Sequence, residues 1–73
     1  MNIGLWLESK LRTENKSMAW LCDKMKITKA TPSRWKTGKH EPNLKMTKRI
    51  VNFLSSEFDL NREELWLEIL VME

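Results

Sequence analysis

The chain is poor in the residues from which covalent and catalytic sites are built. It has one cysteine, Cys22, one histidine, His40, and no tyrosine. A single cysteine excludes an intrachain disulfide and a cysteine-based zinc site. His40 has no second histidine or cysteine beside it to share a metal, so no metal site is expected. The two glycines, Gly4 and Gly38, make no phosphate-cradling loop. The carboxylates are scattered or gathered at the C-terminal end. No catalytic constellation assembles from them, and neither an enzymatic activity, a cofactor nor a small-molecule ligand is expected. No apolar run approaches the roughly 20 residues that span a bilayer. The start, Met1-Asn2-Ile3-Gly4, lacks the basic residues and long apolar stretch of a signal peptide. These absences point to a cytoplasmic protein with no membrane partner. Strand signals, internal repeats, low-complexity segments and linkers are missing too.

What remains is a compact set of helical signals with an uneven charge. Of 73 residues, 41% are hydrophobic and 32% charged, which suits a globular chain rather than a disordered tail. The length supports one domain, 1–73, with a core small enough that a partner subunit would help it. The net charge is +3, but residues 1–50 hold twelve of the thirteen Lys and Arg against four acids, a balance of +8. Residues 51–73 hold Arg62 against six acids, a balance of −5. Such asymmetry suggests a basic face for a polyanion and an acidic end kept away from it. Charge alone also fits a set of solvated helix surfaces.

Apolar residues recur at helical spacing and turn residues punctuate them. Ile3, Leu7 and Leu11, with Trp6 beside them, mark a first helix over 2–14. Asn15-Lys16 interrupts it. Ser17 caps a second helix, 18–25, that turns Leu21, Cys22 and Met25 inward. Lys26-Ile27 reads as a tight turn. Thr28 is the expected cap of a third helix, 29–36, which stops at Thr37-Gly38, where glycine supplies the left-handed position. Pro42 marks a loop. A fourth helix, 44–56, carries Met46, Ile50, Val51, Phe53 and Leu54. Asp59 or Asn61 caps a fifth, 61–72, carrying Leu65, Trp66, Leu67, Ile69 and Leu70. The fold class is therefore all-α with five helices.

The stretch from Ser17 to Gly38 packs a capped short helix, a tight turn and a second short helix into about two dozen residues. It resembles the Cro and phage-repressor (lambda-repressor-like) helix-turn-helix family. The places of that family's pattern hold Ser17, Leu21, Cys22, Met25, Lys26, Ile27, Thr28, Pro32, Ser33, Trp35 and Gly38. The resemblance continues through Pro42 into Arg49-Ile50-Val51-Asn52-Phe53-Leu54. Three positions depart from the family pattern. Met18 stands where many members have a glutamine that touches the DNA backbone. Lys26 replaces the turn glycine and so must adopt a positive φ. Pro32 falls near the end of the first turn of the third helix, which predicts a distorted start.

The resemblance implies a first helix lying across the DNA backbone and a second entering the major groove of double-stranded DNA N-terminus first. Lys29, Ala30, Thr31, Ser33 and Arg34 would then read base edges: Arg and Lys donating to guanine, Thr bonding a base edge or packing its methyl on thymine, Ala doing the latter. Members often use the position of Ser33 for packing instead. Lys16, Ser17, Thr28, Lys36, Lys39 and His40 would lie beside phosphates and hold register without reading sequence. Trp35 and Cys22 fall at core positions; Trp6 and Trp20 are expected to be core or half-buried. The last segment has more apolar residues than one side of a terminal helix needs. Leu65, Ile69 and Met72 form one stripe, leaving Trp66, Leu67, Leu70 and Val71 for a homodimer interface.

The resulting expectation is a Cro-like phage or bacterial transcription regulator, associated with the nucleoid, that occupies a two-fold operator as a dimer and obstructs polymerase. The absence of a second domain for ligand sensing or self-cleavage favours a Cro-type protein over a full-length repressor. Two other readings compete: a protein-interaction module, antitoxin- or adaptor-like, on a helix-turn-helix scaffold, and an architectural or excisionase-like role.

Overall fold

The structure, a computed structural model, describes residues 2–72. Five α-helices and no strand occur among the described residues: α1 Ile3–Thr13, α2 Met18–Met25, α3 Ala30–Thr37, α4 Leu44–Phe58 and α5 Arg62–Val71. None of them is long and apolar enough to cross a membrane. The residues group into two compact units, Asn2–Glu41 with α1 to α3 and a second from Pro42 onward with α4 and α5.

In the first unit, α1 begins where the Asn2 side chain accepts the Leu5 amide at 2.9 Å, a cap that satisfies one of the four free N–H groups of the first turn. Its buried residues, Ile3, Gly4, Leu7 and Leu11, follow the helical repeat. The helix ends as Asn15 turns left-handed, φ 60°, and the Lys16 amide bonds back to the Leu11 carbonyl at 2.8 Å. Ser17 caps α2 as expected, its hydroxyl accepting the Trp20 amide at 3.1 Å. Leu21, Cys22 and Met25 are the buried face of α2. Lys26 closes it in the left-handed region, φ 57° and ψ 48°, so a non-glycine residue carries the strain at the turn, about 1–2 kcal/mol. The Cys22 thiol is buried and lies 3.8 Å from the Thr28 carbonyl. That burial pushes the thiol above its ordinary pKa against the opposing charge of Lys29, as befits a core residue.

The start of α3 differs from expectation. The residue at the cap position is Lys29, with helical dihedrals and no side-chain cap. Thr28 does not cap the helix through its hydroxyl. Its carbonyl accepts the Thr31 amide at 3.1 Å, the bond that the hydroxyl was expected to accept, and its hydroxyl instead shares a 2.9 Å hydrogen bond with the Thr31 hydroxyl. Pro32 is the third residue of the helix, where an N–H has no intrahelical acceptor, so proline sacrifices no helix bond there. Gly38 ends α3 at φ 79°, as expected. Pro32 and Trp35 are its buried residues.

In the second unit, Asn43 caps α4 by accepting the Met46 amide at 2.8 Å. Thr47, Ile50, Val51 and Leu54 form its buried face at helical spacing. Asp59 is the left-handed terminator of α4, φ 55°, and Asn61 is the cap of α5, accepting the Glu64 amide at 3.0 Å. The turn between them closes with Leu60 N–H on the Ser55 carbonyl at 3.2 Å and the Ser55 hydroxyl on the Leu60 carbonyl at 2.6 Å. Here α5 packs on α4, and its buried residues are Leu65 and Ile69.

Candidate nucleic-acid interface

The candidate surface is the outer face of α3 and the chain on either side of it. Because Pro32 and Trp35 turn inward, the residues at helical spacing opposite them turn outward: Ala30, Ser33, Arg34 and Thr37 are exposed. Lys29, at the head of the helix, is exposed as well. Of the five expected base-reading residues, four are therefore accessible. Thr31 is half-buried, and its hydroxyl is engaged with that of Thr28. Ser33 faces outward rather than into the packing. Thr37 shares the face but had not been singled out, and its hydroxyl bonds the Arg34 carbonyl at 2.8 Å.

The expected phosphate-side residues are placed less uniformly. Lys39 and His40 are exposed beyond the end of α3, and Thr28 is exposed before its start. Lys16 is exposed, with its ammonium 5.1 Å from the centre of the Trp20 ring, a cation–π arrangement. Ser17 is exposed while capping α2. Lys36 is the outlier. It is half-buried, and its ammonium donates to Glu8 Oε2 at 2.6 Å across to α1. That hydrogen bond, more than any other influence, holds the Glu8 carboxyl below the ordinary carboxylate pKa; desolvation opposes it, and the charges of Lys36 and Arg12 reinforce it. The Arg12 guanidinium lies 3.5 Å from the other Glu8 oxygen.

Two clefts in this unit complete the geometry. Arg12, Asn15, Lys16, Ser17 and Trp20 line an open cleft of about 420 Å³ at the N-terminal end of α2. It combines two cations with the first turn of a helix, whose free N–H groups and dipole favour an anion. Nothing in the sequence pattern alone marks Arg12 and Asn15 as site residues. Their membership follows from α1 ending at Thr13 and reversing through Asn15, which only the left-handed backbone at that residue reveals. Glu8, Met18, Lys29, Pro32, Ser33 and Lys36 line a second cleft of about 140 Å³. Met18 thus stands at the edge of the α3 surface with an apolar side chain.

In the other unit, α5 leaves Leu67, Leu70 and Val71 exposed by 62%, 64% and 78%. At i, i+3 and i+4 they form one stripe, opposite the buried Leu65 and Ile69. Trp66 is half-buried between the two stripes. Among the described residues no group of three or more His, Cys, Asp or Glu is arranged to hold a metal ion. Comparison with family models, curated proteins and solved structures finds no match to this chain.

Proposed function

We propose that the chain is a sequence-specific, double-stranded DNA-binding transcription regulator of the helix-turn-helix type, related to the Cro and phage-repressor family and acting as a dimer on a two-fold operator. The observation that carries this reading is α3 itself. A short helix with Pro32 and Trp35 buried offers an outer face of Ala30, Ser33 and Arg34, with Lys29 at its head. That face holds little apolar surface for a protein partner. It does hold the donors and small side chains that meet base edges in the major groove. The cap at Ser17 and the left-handed residue at Lys26 support it, since they bound α2 as a short helix that ends shortly before α3 begins, as a helix-turn-helix needs.

In this reading Lys29, Ala30, Ser33 and Arg34 read bases, with Thr31 supporting them. Lys16, Ser17, Thr28, Lys39 and His40 lie along phosphates, joined by Arg12 and the first turn of α2. Two copies associate through Trp66, Leu67, Leu70 and Val71 and present two α3 helices about one DNA turn, roughly 34 Å, apart. Binding represses by obstructing polymerase. The test is duplex binding over a salt series, after selection of a preferred site from random DNA. A dimer making six to ten phosphate contacts should give log K against log salt a slope of roughly −5 to −9. A slope near zero refutes duplex binding.

A second reading draws on a different observation, the 62–78% exposure of Leu67, Leu70 and Val71. There the α5 stripe captures another protein, as in an antitoxin or adaptor, and DNA binding is weak and insensitive to salt.

A further inference from the structure

Three contacts from α1 converge on a single residue of α3. The Asn2 side-chain amide donates to the Lys36 carbonyl at 2.7 Å. Gly4 lets the α1 backbone close on the same residue, since a Cβ there would stand 2.5 Å from the Lys36 backbone nitrogen. Glu8 takes the Lys36 ammonium at 2.6 Å. Asn2 at the cap of α1, Gly4 in its first turn and Glu8 one turn beyond Gly4 together meet the carbonyl, the backbone nitrogen and the side chain of Lys36. Lys36 is not remote from the proposed reading surface. With Lys29 and Ser33 it falls on one stripe of α3, and all three line the same cleft with Glu8. A lysine at this place, if free, would be a ready phosphate ligand. Here it is already neutralised, and Arg12 on the far side of Glu8 helps to keep the carboxylate charged and in place.

A lysine–phosphate contact adds affinity on every DNA sequence alike, so it raises non-specific binding as much as specific binding. We infer that Glu8 is a specificity-determining residue: it withholds Lys36 from the phosphate backbone and, through Lys36, fixes the orientation from which α3 reads bases. The inference rests on the DNA-binding reading above. Glu8 contacts no base. It acts as a positioning residue: it removes one sequence-independent cation from the surface, which lowers affinity on every sequence alike, and through the ion pair it holds the last turn of α3, which carries the specificity.

The experiment uses the full chain as wild type, Glu8→Gln, Lys36→Met and the double variant. Each is checked for helix content by circular dichroism and then titrated with a random duplex and with the selected site over a salt series. Glu8→Gln should steepen the salt slope on random duplex by about 0.9 per subunit, one phosphate's worth, and, by releasing the hold on the last turn of α3, should lower the ratio of specific to random affinity. Lys36→Met alone should leave the random-duplex slope where it is in the wild type. Added to Glu8→Gln, it should cancel the steepening. An unchanged slope in a folded Glu8→Gln variant overturns the inference. So does a Lys36→Met slope shallower by about 0.9 per subunit, because Lys36 would then already contact phosphate. If Glu8→Gln fails to fold, Lys36→Met decides through both readouts: the inference requires an unchanged random-duplex slope with a lowered specific-to-random ratio, and a shallower slope or an unchanged ratio overturns it. A wild-type slope near zero on every duplex overturns the DNA-binding reading, and this inference with it. A normal wild-type slope with either contrary variant result overturns this inference alone.

Discussion

Gly4→Ala is a substitution whose sign depends on the packing of α1 against α3. In an exposed helix the change stabilises by about 0.5–1 kcal/mol, because alanine loses less backbone freedom on folding. In this chain the new methyl would stand 2.5 Å from the Lys36 nitrogen, 2.8 Å from the Lys36 Cγ and 2.8 Å from the Trp35 carbonyl carbon. Ordinary contact is about 3.5–4.0 Å, so the helices must separate by about 1 Å. The Lys36 side chain can swing away, but the two backbone atoms cannot. Overfilling a packed contact costs about 1–3 kcal/mol. Separation also stretches the 2.7 Å bond from Asn2 to the Lys36 carbonyl, which contributes about 0.5–1.5 kcal/mol. The balance is a net loss of about 0.5–4 kcal/mol. For a chain of this size that lowers the melting temperature by roughly 2–30 °C, at about 4–8 °C per kcal/mol. Thermal and urea unfolding followed by circular dichroism measures it directly. Gly38→Ala is the matching control: nothing lies within 4 Å of a Cβ there, yet its φ of +79° should still cost about 1–2 kcal/mol through backbone strain alone. A Gly4→Ala protein as stable as wild type would refute the close approach of α1 to α3.

Four other outcomes are expected. Lys26→Gly should raise stability by about 0.5–1 kcal/mol, since relief of the left-handed strain exceeds the added chain entropy; a lower urea midpoint would contradict it. The folded-state pKa of Glu8 is depressed, so its pairing with Lys36 stabilises the fold above the ordinary carboxylate range and is lost as pH falls through the lowered value. The wild type should thus melt above Glu8→Gln at neutral pH and converge with it in acid, and a pH-independent gap between the two would contradict the pairing. Arg34→Ala and Lys29→Ala should each cost about 1–3 kcal/mol on the selected site and relax preference at particular base pairs, whereas Lys39→Ala should weaken all duplexes alike and reduce the salt slope by about one; equal losses on random DNA for all three would mean that α3 does not read sequence. Val71→Glu or Leu67→Lys should give a folded monomer by sedimentation, because each removes about 1.5–3 kcal/mol of apolar burial per side chain; a wild type that is itself monomeric at tens of micromolar would refute the α5 interface.

The helices were legible wherever local chemistry decides. The limits of α2 follow from Ser17 and from the apolar spacing of Leu21, Cys22 and Met25, and they agree with the expected 18–25. The left-handed residue at Lys26 was readable because the turn has no glycine to supply it. Thr28 was misread for an equally local reason. Hydroxyl and carbonyl of one residue compete for the same amide, and the carbonyl took it. Asn2 and Asn43 both cap helices, yet neither stood out, since an asparagine beside an apolar run also suits a loop. The outward face of α3 was visible in the spacing of Trp35 against Ser33 and Arg34. The fate of Lys36 was not, because its partners are tertiary: Glu8 lies 28 residues away and Asn2 lies 34 away.

That tertiary grip bears on how α3 exists at all. The helix is eight residues long and contains two threonines, a proline, a serine and a tryptophan, a composition with low intrinsic helix propensity. Helices this short are marginal in water even when made of alanine. Its start has no side-chain cap and is held by the Thr28–Thr31 bonds. Its stability must come from packing, and Pro32 in the first turn is fully buried. Trp35 is 4% exposed, and Lys36 is bonded at both its carbonyl and its ammonium, all within the last turn. Both turns of α3 are therefore anchored, the first by the fully buried Pro32 and the last by Trp35 and Lys36, while Lys29 and Ala30 stand exposed at its head. In the DNA-binding reading, a helix held at both turns would present Lys29 and Ala30 to base edges at a set angle of approach. Weakening the grip at Lys36 should loosen the last turn of the helix, so in that reading the effect on base preference would exceed what loss of a single surface ion pair implies.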